Sequence, residues 1–143
     1  MKVVILCGVS GAGKSTRTQR EYPEAFVYSA DLFFMKDGEY KFDPKNLSEA
    51  HGTCLREFVD GLKDKQSLIV VDNTNTSVAE IAPYAALALA YGYELEIEIL
   101  KVDAEVAAAR NQHGVPKATI VKMADRINNL KNELPSWWPC KEV

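Results

Sequence analysis

With 143 residues, 47% of them apolar and 26% charged, the chain is expected to form one domain, 1–143, that buries a sizeable core. Its formal net charge of −3 speaks against a broad nucleic-acid-coating surface, though not against one nucleic-acid end held in a cleft. No apolar run approaches membrane-spanning length, Met1-Lys2 leads straight into an apolar strand, and Cys7, Cys54 and Cys140 contain no C-x-x-C pair; membrane spans, a secretory signal, a disulfide frame and a zinc site are therefore disfavoured, and the expected compartment is the cytoplasm.

Val3-Val4-Ile5-Leu6-Cys7 reads as a buried strand over about 2–7. Directly after it stands Gly8-Val9-Ser10-Gly11-Ala12-Gly13-Lys14-Ser15, the G-x-x-x-x-G-K-S pattern of a P-loop. The glycines let the backbone curl with its N–H groups pointing inward, and the helix expected from Lys14 to about Glu21 offers unpaired amides and a positive dipole end to the same anion. Gly8, Ser10, Gly11, Ala12, Gly13, Lys14, Ser15 and Thr16 are thus the expected nucleotide contacts, with Lys14 at the β/γ-phosphates and the Ser15 hydroxyl on Mg²⁺. A glycine-rich turn alone explains the glycines but not Lys14-Ser15.

A second short strand, 25–29, leads to Asp31. The segment 36–44 is polar with aromatics and is expected to be irregular. A helix follows over about 46–62, with Leu47, Ala50, Cys54, Leu55, Phe58, Val59 and Leu62 at helical spacing. Ser67–Asp72 is an uninterrupted apolar strand ending in an acid, which suggests cover on both faces. Residues 73–77 form a loop and N-cap before an Ala-rich helix over 78–91, with Pro83 in its first turns. Residues 93–102 alternate, with Glu94, Glu96 and Glu98 on one face, and read as a strand at the sheet edge. Helices near 104–112 and 117–131, separated by Gly114-Val115-Pro116, complete the chain. Strand–helix alternation predicts an α/β fold: a parallel sheet of about four strands flanked by helices, with a small helical lid near 104–118. The P-loop, Asp31 and Asp72 then emerge along one crevice at the carboxyl ends of strands.

Phosphoryl transfer to a hydroxyl requires a base for the acceptor proton, and Asp31, close to the nucleotide and not consumed by Mg²⁺, fits that role; an N-cap for a short helix at 32–35 is the competing reading. Asp72 is placed as a Walker-B-type acid for Mg²⁺, with a strand-end Asx turn as the alternative. Asn75 stands at the crevice edge and is a candidate acceptor contact. Arg110 is positioned to fold from the lid over the phosphates, or is a solvated helix residue. Among the aromatics near Asp31, Phe34 is a candidate acceptor contact, with packing as its default. Arg17 and Arg20 reach either a nucleic-acid phosphate or solvent. Trp137-Trp138 either stacks a base or, more in keeping with a chain end, covers the core.

The segments Gly8–Thr16, Ser29-Ala30-Asp31, 37–44 with Ala50-His51, Val71–Asn75, and Arg110 with His113–Pro116 together resemble the polynucleotide-kinase-like P-loop phosphotransferases, a group also called AAA family ATPases or zeta-toxin-like proteins. The resemblance covers about residues 2–130. It implies a P-loop kinase fold using ATP and Mg²⁺, with Asp31 as general base, Lys14 and Ser15 on the phosphates and metal, and Arg110 as a lid arginine. It also implies a second acid and an acceptor-phosphate arginine soon after the base, where this chain has Leu32 and Phe34, and a second lid arginine, near which it has His113. The resulting expectation is a Mg²⁺-ATP-dependent kinase acting on the 5′-OH of an RNA or DNA end. A metabolite or nucleotide-sugar kinase and a nucleotide-binding switch are the alternatives; a GTPase is disfavoured because no N-K-x-D segment is present. No membrane partner is expected, and the oligomeric state is left open, with a monomer sufficient.

Overall fold

The computed structural model describes residues 1–111 and 113–143. In chain order these form β1 (Lys2–Cys7), α1 (Lys14–Glu21), β2 (Phe26–Tyr28), a 3-10 turn (Ala30–Phe34), β3 (Met35–Lys36), β4 (Glu39–Tyr40), a second 3-10 turn (Pro44–Asn46), α2 (Leu47–Lys63), β5 (Leu68–Asp72), α3 (Val78–Ala90), β6 (Glu94–Ile99), α4 (Ala104–Arg110), α5 (Lys117–Glu133) and β7 (Cys140–Glu142). The main sheet is wholly parallel, in the order β2-β5-β1-β6-β7.

That order follows from burial. Val3 through Cys7 are all buried, so β1 belongs where both sheet faces are covered, and it lies in the centre between β5 and β6. Side chains alternate across the strand. Val3, Ile5 and Cys7 join the large core made with Phe58 and Leu62 of α2, Ile81 and Ala85 of α3, and Ile120, Ile127 and Leu130 of α5. Val4 and Leu6 face the smaller cluster with Val70 and Leu100 beneath Tyr22 and Ala25. The chain steps one way from β1 to β2 and the other way thereafter. Right-handed crossovers then put α1 on one face and α2, α3 and α5 on the other, and the two clusters match this division. The neighbouring strands β1 and β5 send their crossovers in opposite directions, so the crevice opens between their carboxyl ends.

Two expectations about the sheet are corrected. It has five strands, the fifth being β7, whose parallel pairing with β6 brings Cys140 beside Ile97 and Glu142 beside Ile99. Consequently β6 is not an edge strand. Its acidic face is wet at Glu94, as expected of its first half, but is covered by cations from Glu96 on: Glu98 is fully buried, takes the Arg17 Nε–H at 2.8 Å and the Tyr22 hydroxyl, and has Lys141 Nζ at 3.6 Å. Glu96 lies 2.9 Å from both Lys2 and Lys141. Burial by itself would raise the Glu96 carboxyl, but the hydrogen bonds from these two lysines hold it below its ordinary range.

The segment expected to be irregular contains a tight ribbon. Asp37 and Gly38 both adopt positive φ (53° and 79°), the requirement of a two-residue hairpin turn, and they set Met35 against Tyr40. Ser77 opens α3 with a reciprocal capping box, accepting from the Glu80 N–H at 3.3 Å while the Glu80 carboxylate accepts from the Ser77 N–H at 3.1 Å. Trp138 packs on the core, whereas Trp137 is 74% exposed. Cys7, Cys54 and Cys140 are free thiols. No described helix is long and apolar enough to cross a membrane.

Candidate active site

The loop after β1 is anchored at its start by the Gly8 N–H, which donates to Thr74 O at 2.9 Å. Gly11 and Gly13 take φ of 85° and 98°, values that L side chains rarely adopt. Their surroundings differ. A Cβ on Gly11 would run into the carbonyl oxygen of Ala107, so α4 lies directly on the loop; a Cβ on Gly13 would meet nothing within 4 Å. Gly13 is the N-cap of α1, where no side chain caps the helix, so the first amides of α1 are left for an anion.

Lys14 Nζ donates to Gly8 O at 2.9 Å and Val9 O at 3.1 Å. Burial pushes its pKa down, opposed by the carboxylates of Asp72 and Asp31. The Ser15 hydroxyl points to Asp72 Oδ2 at 3.5 Å across the carboxyl ends of β1 and β5. Burial raises the Asp72 carboxyl, Lys14 and the Ser15 hydrogen bond pull it back, and Asp31 adds to the rise. A hydroxyl and a half-buried carboxylate at this spacing are hard oxygen donors of the kind that suit Mg²⁺ bound jointly to protein and phosphates.

A cleft of about 950 Å³ brings these groups together. Ser10, Gly11, Ala12, Gly13, Lys14, Ser15 and Thr16 line its floor, and Asp31, Asp72, Arg110 and His113 also border it. Gly8 lies beneath the floor, against Ala12 and Leu100. Arg110 ends α4 and is exposed toward the cleft. The lid segment is tied to the loop by Ser10 Oγ–H donating to Asn111 Oδ1 at 3.2 Å, and Asn111 Nδ2 in turn donates to Val115 O at 2.6 Å. Gln112, within the expected lid, lies outside the described residues.

Asp31 does not cap the turn it belongs to. Ser29 does, its hydroxyl accepting from the Asp31 N–H at 3.2 Å. The Asp31 side chain turns to the cleft and accepts from the Tyr40 hydroxyl at 3.1 Å. Burial and the neighbouring Asp31 push the Tyr40 hydroxyl up to about 12, so it remains a donor through the neutral range. The Tyr40 ring meets His113 edge-on, with centroids 4.2 Å apart, and joins the ribbon to the lid. The amino-acid pattern gave no direct sign of this Asp31–Tyr40–His113 chain; the Asp37-Gly38 turn was the available signal, since it folds Tyr40 back toward Asp31.

Two expected acceptor contacts lie elsewhere. Phe34 is 2% exposed and packs among Phe33, Tyr40 and Phe42, so it is a core aromatic and does not face an acceptor. Asn75 is also 2% exposed, at φ 48°, with its Nδ2 donating to Leu6 O at 2.8 Å; it clamps the loop after β5 to β1 and does not reach the main cleft. Arg17 is engaged by Glu98, yet it and Arg20 line the cleft from α1.

Comparison with known proteins places these features in a family. Residues 3–126 match the family described as "AAA domain", and the chain belongs to that family. It is 35% identical over 135 residues to human NEDD4-binding protein 2, aligning over 90% of this chain but only 8% of that protein. A chain of the Pnkp1/Rnl/Hen1 RNA repair complex superposes with a TM-score of 0.75 at 18% identity, covering 94% of this chain and 46% of that one. A gluconokinase from Sinorhizobium meliloti 1021 superposes with a TM-score of 0.61 at 15% identity, covering 99% of this chain and 82% of the other. The fold is that of the P-loop kinases.

Proposed function

We propose that this AAA-domain chain transfers the γ-phosphoryl of Mg²⁺-ATP to a hydroxyl group, and that the 5′-OH of an RNA or DNA end is the acceptor it suits best. One observation carries the reading: the Asp31 carboxylate opens into the same cleft as the P-loop amides and Lys14. A nucleotide-binding switch has no need of a carboxylate aimed beside its terminal phosphate; a transferase does.

In this reading the loop amides and Lys14 hold the β- and γ-phosphates, while Ser15 and Asp72 hold Mg²⁺. The metal, when bound, neutralises charge building on the phosphate oxygens. Asp31 takes the proton of the acceptor hydroxyl as its oxygen bonds to the γ-phosphorus. The bond from that phosphorus to the β,γ-bridging oxygen breaks, and ADP leaves. Tyr40 holds one carboxylate oxygen of Asp31 by its hydrogen bond, and Arg110 supplies positive charge from the lid to the transferring group. Similarity to a chain of an RNA repair complex supports the nucleic-acid acceptor. Similarity to a gluconokinase and the lack of an arginine directly after Asp31 favour a small polyol as the second reading. The free thiols suit a reducing compartment such as the cytoplasm.

The test is transfer of labelled γ-phosphate from Mg²⁺-ATP to a panel of 5′-OH RNA, 5′-OH DNA, gluconate and free nucleosides. The nucleic acids are expected to be labelled. Exclusive labelling of gluconate would replace the acceptor, and tight ATP binding without labelling of any acceptor would replace the reaction.

A further inference from the structure

A continuous path of contacts runs from the phosphate loop to Asp31 by way of the lid segment. Its first step is the Ser10 hydroxyl donating to Asn111 Oδ1 at 3.2 Å. The same oxygen accepts the His113 backbone N–H at 3.1 Å, while Asn111 Nδ2 donates to Val115 O at 2.6 Å. One carboxamide therefore holds this turn of the lid together and seats it on the loop. The His113 ring then meets the Tyr40 ring edge-on, and the Tyr40 hydroxyl donates to Asp31 Oδ1. Core packing does not account for His113, which is exposed. Asp31 is exposed too, and among the described residues its side chain has one hydrogen-bond partner, Tyr40.

We infer that Asn111 and His113 are positioning residues, which carry the state of the phosphate loop to Tyr40 and so set the orientation of the Asp31 carboxylate. The inference rests on the phosphotransfer proposed above and adds a control over its base. An exposed carboxylate samples several rotamers, and only those that aim an oxygen at the acceptor hydroxyl can take its proton. With Oδ1 held by Tyr40, Oδ2 is left for that proton. The hold is as firm as Tyr40 itself. Strands β3 and β4 are two residues each, too short a ribbon to be stable alone. Phe34 and Phe42 contact the Tyr40 ring from its own side of the cleft, whereas His113 braces it from the lid. Coupling of this kind is reciprocal, so whatever alters the Ser10–Asn111 bond is felt at Tyr40, and the reverse.

The test is a double-mutant cycle, read as phosphate transfer from Mg²⁺-ATP to whichever acceptor of the panel above is labelled. The proteins are wild type, Tyr40→Phe, His113→Ala, His113→Phe and the double variant Tyr40→Phe with His113→Ala. His113→Ala should lower kcat about threefold to tenfold, the range of one aromatic pair, with the KM for ATP held. His113→Phe keeps an edge-on ring and should recover most of the loss. Because His113 acts through the Tyr40 hydroxyl, His113→Ala should cost nothing further once Tyr40→Phe is present. In parallel, protein labelled with 3-fluorotyrosine is followed by ¹⁹F NMR without acceptor. The Tyr40 resonance is the one of six that Tyr40→Phe removes, and the others report that each variant is folded. It should move in His113→Ala, and also in Asn111→Ala and Ser10→Ala, although Ser10 lies three contacts back along the path. Additive losses in the cycle, or a Tyr40 resonance unmoved by Asn111→Ala and Ser10→Ala, would overturn the coupling while leaving phosphotransfer intact. A resonance that moves in all three variants, with no transfer to any acceptor of the panel, would uphold the coupling and overturn phosphotransfer.

Discussion

Substituting alanine at Gly11 and at Gly13 separates two jobs of the P-loop. Both residues hold positive φ, so each alanine carries a backbone cost of roughly 1–2 kcal/mol. Only at Gly11 does the new methyl also meet backbone, the Ala107 carbonyl of α4, and forcing those elements apart adds roughly 1–3 kcal/mol. Gly11→Ala is therefore expected to cost about 2–5 kcal/mol and to lower Tm by about 6–15 °C, against about 3–6 °C for Gly13→Ala. Nucleotide binding should discriminate the opposite way. Gly13 is the N-cap whose following amides no side chain caps, so ATP affinity per degree of Tm lost is expected to fall further there. Thermal unfolding without nucleotide, followed by calorimetric titration with ATP, measures both. Equal Tm losses, or a larger loss at Gly13, would refute the packing of α4 on the loop.

Arg17→Met leaves Glu98 buried with only Tyr22 and Lys141 to satisfy it, and urea unfolding should register a loss of about 3 kcal/mol; adding Glu98→Leu should restore much of it, and a single-variant loss below about 1 kcal/mol would contradict a buried ion pair. Asp72 has its folded-state pKa raised, mainly by burial, so ionising it opposes folding: the stability it permits is complete below the unfolded-state value and is lost as pH rises through the folded-state value. Asp72→Asn should consequently stabilise the unliganded protein at neutral pH, with the advantage vanishing in acid, and a Tm difference independent of pH would count against it. The same shift makes Mg²⁺-ATP affinity of the wild type decline with acidification at pH values above the ordinary carboxylate range, a decline that Asp72→Asn should flatten in titrations at fixed Mg²⁺.

Much of the site could be read from local pattern, because a P-loop is contiguous and strand ends carry Asp31 and Asp72 to one edge. What escaped depended on the third dimension. The Glu94–Glu98 alternation signals a wet face only when nothing cationic covers it, and Arg17, Lys2 and Lys141 come from sequence positions far apart. Strand β7 is three residues, Cys-Lys-Glu, without strand propensity; parallel pairing with β6 creates it. Phe34 and Leu32 sit two apart on one short turn, and the tighter 3-10 geometry sends Phe34 into the core and Leu32 to the cleft. Asn75 looked like a crevice group because it is polar, but its positive φ and its bond to Leu6 O give it to the backbone. The Ser29 cap frees Asp31, a division of labour that two neighbouring cap-forming residues leave ambiguous in sequence.

The proposed transfer from ATP to a hydroxyl depends on Asp31 as its base. Its most direct test is the single-turnover rate of γ-phosphate transfer from Mg²⁺-ATP to a 5′-OH oligonucleotide, wild type against Asp31→Asn, with ATP affinity measured on the same samples. The variant's rate is expected to be lower by about 10²–10⁴-fold with ATP affinity held. Transfer at the wild-type rate by Asp31→Asn would contradict it.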